Sequence, residues 1–380
     1  VRKTLAAAMF LFTLISLAGG FAETPGQLIA ARIGQGAMAG LMQPMGMYLV
    51  FRIFPRDRRG QAMGIYGMGV ILAPALGPVL GGFLVDQLDW RYVMFAPAPV
   101  TLVGVFMAWR FLPLPVSRPA PYRFDLPGLI LLGFTIAVSL DTLNRLQHAA
   151  GQENRILAGT VMALGGLLLF VLRERRTAHP LVNMALLRKP VFVFACLGAV
   201  ALGLALFGST YLIPLFVQTA LGFSATEAGL LMLPAGIVLG MTFPLAGRLA
   251  DRHSARVLVV FGIGAFALSA MLFALSDLEL AFGWLVLWTV LGRIGIGFML
   301  PALSTGALNP LKPQELGAGS STLNFMRQLG GAFGVNLVAL TVEFGEHSSG
   351  MPTINAFHSA WWLVAVFVAV AAIPVWRMRT

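Results

Sequence analysis

The sequence holds one cysteine, Cys196, and only 15 acidic residues in 380. One cysteine cannot close an intrachain bridge, so a disulfide-stapled secreted domain is excluded. Charged residues of both signs make up 11% of the chain, against 58% hydrophobic. Soluble domains carry roughly a quarter charged residues, and the few present here cannot cover a soluble surface. A soluble enzyme and a disordered chain are therefore excluded as well. What remains is an integral membrane protein. The net charge of +11 would suggest nucleic-acid binding in a soluble chain and needs a different explanation here.

Runs of alternating apolar and polar residues, the mark of barrel strands, are also missing. Long apolar runs take their place, and a helix needs about 20 residues to cross the hydrocarbon. Cutting at charged and Pro/Gly-rich stretches predicts helices at 5–21, 27–51, 61–85, 91–112, 126–146, 155–172, 191–218, 226–247, 257–276, 280–306, 317–341 and 358–376. The expected fold is all-α, a polytopic membrane helix bundle. No connection is long enough to hold a separate soluble domain.

The basic residues explain the charge. Of 26 Lys and Arg, twenty fall on the side of both termini, three (Arg91, Arg145 and Arg155) on the other, and three (Arg32, Arg293 and Arg327) within apolar spans. Acids lean the other way, 5 to 10. Lys- and Arg-rich loops stay in the cytoplasm, so both termini are expected there, in a plasma (inner) membrane. The partner this implies is the lipid bilayer, with no nucleic acid. The five histidines are scattered over loops and helix ends without metal-ligand spacing, and are expected at the surface. No P-loop, HExxH or GxSxG is present, which argues against ATP drive and hydrolysis. No metal, cofactor or enzymatic activity is expected. Trp90, Trp284, Trp288, Trp361 and Trp362 near span ends read as an interfacial belt.

The chain also repeats itself. RIGQG at 32–36 matches RIGIG at 293–297, and Ala75-Leu76-Gly77 matches Ala332-Phe333-Gly334. Parallel repeats of this kind occur in transporters with the substrate site between two halves.

Five stretches carry a resemblance to a known family: RIGQG at 32–36, GVILAPALGPVLGG at 69–82, YLIPLFVQTALGFSATEAGLLMLP at 211–234, GRLADRHSAR at 247–256 and NFMRQLGGAFGV at 324–335. The chain resembles the fourteen-helix drug:proton antiporter group of the major facilitator superfamily (EmrB/QacA type). Ala73 and Ser254 stand where the group usually has glycine. The resemblance implies two pseudo-repeated halves with two inserted central helices: a partial N-terminal bundle at 1–112, the inserted pair and linkers at 113–190, and a six-helix bundle at 191–380. Only four helices precede the inserted pair, and Val1-Arg2-Lys3 matches the end of the first-half loop motif. The first two helices of the family pattern, with the usual coupling carboxylate, are thus expected to be missing from this sequence.

The implied activity is proton-coupled export of small hydrophobic, often cationic compounds, driven by the proton gradient, with a periplasmic adaptor protein as a possible partner. A metabolite exporter or importer on the same fold, and a non-transporting receptor or scaffold, are the alternatives. Gly69, Pro74, Gly77, Pro78, Gly81 and Gly82 form the antiporter motif. Their small side chains and prolines allow close packing with a kink; the resemblance adds a role in sealing against proton leak. Arg32 with Gln35, and Arg293 and Arg327, are expected in proton relay or facing the cavity, since a cation within a span is costly unless it is used or paired. Asp251 and Arg252 read by themselves as a solvated cytoplasmic turn; the resemblance implies instead that Gly247, Asp251, Arg252 and Arg256 form a cytoplasmic gate, with Asp251 latching onto basic residues or a helix N-terminus. Tyr66, Tyr211, Gln218 and Asn324 join Gln35 as substrate-cavity candidates.

Overall fold

The structure is a computed structural model describing residues 1–112, 125–147, 151–177, 180–277, 280–345 and 353–378, without the side chains of 71–79, 82, 83, 86 and 225. Among the described residues there is no strand. The described residues form twelve long helical segments in order: α1 Arg2–Gly20, α2 Pro25–Ile53, α3 Arg59–Gln87, α4 Trp90–Phe111, α5 Leu126–Gln147, α6 Glu153–Arg176, α7 Pro190–Thr219, α8 Ala225–Ala250, α9 Ala255–Ala274, α10 Phe282–Leu308, α11 Leu316–Glu343 and α12 Ile354–Trp376. Ten of these are long and apolar enough to cross a membrane. The other two, α2 and α3, are each 29 residues long and reach about 43 Å at 1.5 Å per residue.

Local chemistry sets the helix ends and bends. Ser224 caps α8 and receives the reciprocal bond from Glu227, a capping box. Asp89 caps α4 by accepting from Arg91 N at 2.9 Å. Pro97 lacks an N–H, and α4 is interrupted before it, at Ala96. A π-turn at Leu204–Gly208 interrupts α7. Buried hydroxyls return their protons to the preceding turn, as Thr13 does to Met9 O and Thr289 to Leu285 O. This removes the cost of carrying them in hydrocarbon.

Contacts divide the chain into two compact units, Val1–Ile53 with Gly69–Pro121, and Phe54–Met68 with Tyr122–Thr380. In the first, α1 packs against α2 and α4. In the second, the closest pairing is α9 with α10. There a methyl added at Gly295 would stand 2.5 Å from Gly262 O, so only glycine allows the backbones to meet. An aromatic core joins α7, α9, α10 and α12. Phe273 stacks on Trp361 at 4.6 Å, meets Trp288 edge-on at 5.6 Å and lies 6.2 Å from Phe216. This corrects the expected belt: Trp361 is 1% exposed and Trp288 packs inward, while Trp90, Trp284 and Trp362 remain exposed. His253 is exposed but His358 is half-buried in α12, a second correction; His148, His179 and His347 lie outside the described residues.

α5 and α6 form a hairpin in which Gly159 and Gly166 receive Thr142 and Thr135, and α5 also touches α11. Asp125, buried at the start of α5, accepts from Arg173 Nη2 at 2.6 Å and from Gly128 N at 3.1 Å. Glu315, at the start of α11, accepts from Lys189 Nζ at 2.7 Å. Both carboxyls are held below their usual range, chiefly by the hydrogen bonds from Arg173 and Lys189 respectively. Their contribution to stability is therefore present above the ordinary carboxylate pKa and lost as pH falls through the lowered values. Asp125→Asn should lower the melting temperature in detergent at pH 7 and flatten its fall in acid. An unchanged acid profile would show that this ion pair does not support the hairpin.

Candidate functional site

The best-defined polar site lies where α8 ends and α3 begins. Asp251 is the C-cap residue of α8, at the negative pole of that helix, which disfavours a carboxylate. The opposite pole of α3 compensates. Asp251 accepts from Gly60 N at 2.6 Å and from Gln61 N at 2.8 Å, two of the amides that a helix start leaves without partners. Burial still pushes the Asp251 carboxyl above its usual range, against the lowering effect of those two bonds.

Two glycines make this approach possible. A methyl at Gly60 would meet the carbonyl of Gly247, and one at Gly247 would meet the carbonyl of Gly60. One turn further on, Gly64 rests on the backbone of Phe243 and Pro244. Arg59 closes the edge by donating to Asn309 Oδ1 at 3.1 Å. Of the expected gate residues, the structure thus brings Gly247 and Asp251 to one helix start. Arg252 is exposed. Arg256 turns away and lies 5.3 Å over the ring of Trp376. Sequence reasoning missed Gly60, Gln61 and Asn309; the spacing of Gly60 and Gly64 was the available signal for a close crossing.

Further inside the second unit stand two buried guanidiniums. Arg293 is 5% exposed and donates to Thr210 Oγ1 at 3.2 Å. Thr210 in turn donates to Leu206 O within the π-turn of α7. Among the described residues no carboxylate forms an ion pair with Arg293. Arg327, 4% exposed, donates to Asn324 Oδ1 at 2.6 Å, and Tyr66 is within its electrostatic reach. Arg327, Asn324 and Tyr66 are thereby brought together. Tyr211 is 39% exposed, and Gln218 is exposed with its amide turned back to Pro214 O.

The first unit holds a separate polar chain. Arg32 donates to Gln35 Oε1 at 3.3 Å, Gln35 to Ser16 Oγ at 2.6 Å, and Ser16 to Met94 O at 2.9 Å. Gln35 is buried but Arg32 is exposed. The repeat mates Arg32 and Arg293 therefore differ in surroundings. In the antiporter motif, Gly69 and Gly81 have open space beside them among the described residues. The side chains of Pro74, Gly77, Pro78 and Gly82 lie outside the described residues.

The fold and these sites define a multi-pass membrane helix protein with internal polar contacts. Its family follows from comparison with known proteins. A model of the Major Facilitator Superfamily matches residues 1–335, and the chain belongs to that family. It is 28% identical over 359 residues to the uncharacterized MFS-type transporter YcnB of Bacillus subtilis (strain 168), covering 94% of this chain and 75% of that one. It is 29% identical over 354 residues to the multidrug export protein EmrB of Escherichia coli (strain K12), covering 91% of this chain and 69% of that one. The chain spans between 56% and 75% of the length of the curated relatives it matches. The human organic anion transporter MFSD10 has the same fold, with a TM-score of 0.69 at 15% identity, covering 98% of this chain and 76% of that one.

Proposed function

We propose that this protein is a proton-coupled efflux transporter in the inner membrane, with both termini cytoplasmic, that exports small hydrophobic, often cationic compounds by alternating access. The observation that carries the reading is Asp251 on the start of α3. A carboxylate that holds two backbone amides across a glycine-lined crossing is a contact that can form and break as a unit. Alternating access needs such contacts, because the cycle must pass between states of similar free energy. The relation to EmrB supports export as the direction. On this reading Gly60, Gly247 and Asp251 are the gate, Arg327, Asn324 and Tyr66 line the substrate path, and the Arg32–Gln35–Ser16 chain is a route for protons. A periplasmic adaptor is part of the same proposal.

A second reading, transport of a specific polar metabolite on the same fold, draws on the burial of Arg293 and Arg327, which suits an anionic or strongly polar ligand. Inside-out vesicles separate the two. Acidifying the vesicle lumen should drive accumulation of a fluorescent hydrophobic cation, and collapsing the gradient should release it. No gradient-dependent accumulation across a panel of such dyes, with the protein present and folded, would overturn the export reading.

A further inference from the structure

Arg256 does not join Asp251, and its actual surroundings point to a different role. The start of α9 and the end of α12 lie side by side, and an apolar cleft of about 440 Å³ opens between them, lined by Val260, Ala372, Ile373, Trp376 and Arg377. Arg256 lies over the Trp376 ring, and Arg377 is the next residue along the chain. Neither guanidinium forms an ion pair among the described residues. Ile373 is 60% exposed and Trp376 55% exposed, so the cleft opens outward rather than into the core. The helices flanking it are both apolar enough to span a membrane.

The parts and their order match the chemistry of one ligand class. An exposed tryptophan at a span end sits at the level of lipid headgroups. Apolar walls immediately beside it meet the acyl region. Two cations at the headgroup level attract anionic lipid, and basic pockets between helices are a recurrent way of holding such headgroups. We propose that the α9–α12 cleft binds an anionic phospholipid, with its phosphate at Arg256 and Arg377 and an acyl chain along Val260, Ala372 and Ile373. Arg256 is held in place by Trp376, whose ring face attracts the guanidinium, so little ordering is needed when the phosphate arrives. α12 is broken at Ala371 before its last segment, Ala372–Trp376; the lipid therefore rests on the part of α12 beyond the break.

The test uses the full chain purified in detergent and titrated with phosphatidylglycerol or with phosphatidylcholine of the same acyl chains, read by native mass spectrometry. Phosphatidylglycerol should bind roughly tenfold more tightly, as expected for two nearby cations. The double variant Arg256→Gln, Arg377→Gln should lose that preference, whereas Arg155→Gln, an exposed cation at the start of α6 in the α5–α6 hairpin, should keep it. Ile373→Trp, which fills the cleft, should weaken both lipids. Equal affinity for the two lipids in the unaltered protein overturns the proposal and needs no variant to fold. So does a preference that survives the double variant. Full displacement of phosphatidylglycerol by millimolar glycerol phosphate also overturns it, because the site would then take the anion without the chain.

Discussion

Gly60→Ala is expected to stop the transport cycle, with the protein still inserted in the membrane. The added methyl would fall on the carbonyl of Gly247, and both partners are helix backbone. A flexible side chain could move aside, but two helices must separate. Overpacking of this kind costs about 1–3 kcal/mol, which shifts a two-state equilibrium roughly five- to 150-fold. Parting the helices would also draw the amides of Gly60 and Gln61 away from Asp251, so the steric and polar contacts would be lost together. Gly247→Ala should behave alike, since its methyl meets Gly60 O. Gly264→Ala, with nothing within 4 Å of the new atom, is the matched control. Transport rates in vesicles at equal protein level give the measurement, and normal transport by Gly60→Ala would show that the close crossing takes no part in the cycle.

Asp251→Asn should reduce transport several-fold, because a permanently neutral group, like the protonated carboxyl, favours the latched arrangement that the cycle must leave. The amide keeps one acceptor oxygen and nearly the same shape, so the crossing itself should persist. Acid dependence distinguishes this substitution from a merely structural loss. Burial raises the Asp251 carboxyl above its ordinary pKa, so this arrangement holds a proton more tightly than one with Asp251 in water. Acidification therefore favours the latched arrangement. The gain is complete below the ordinary carboxylate pKa and is lost as pH rises through the raised one. Asp251→Asn should remove that dependence from the conformational equilibrium, measured by a fluorophore near residue 60. An identical pH profile in the variant would assign the dependence to another group.

Much of this arrangement was legible in the sequence. Apolar runs of about 20 residues leave a membrane helix as the only regular structure that satisfies its own backbone in lipid. The cuts at charged and Pro/Gly-rich stretches accordingly fell within a few residues of the helix ends in most cases. Asp251 was singled out by the resemblance of residues 247–256 to the family's loop motif. Its partner was not. Gly60 lies 191 positions earlier, and nothing local to either residue states that they meet. Trp361 and Trp362 make the same point at adjacent positions. One stacks on Phe273 in the core and the other is exposed, and the difference is 100° of helix rotation that composition does not encode.

Composition and pattern alone determined that this chain lies in a membrane and that it is helical, because hydrocarbon solvation acts on each segment separately; the family resemblance rests on the five motifs. Only the tertiary structure decided which backbone amides face Asp251, that Arg256 turns to Trp376 instead, and which buried arginine meets Thr210 and which meets Asn324. Those outcomes depend on how helices distant in sequence are rotated and spaced against one another. That is set by the summed fit of many small contacts, glycine to glycine and ring to ring, rather than by any one segment.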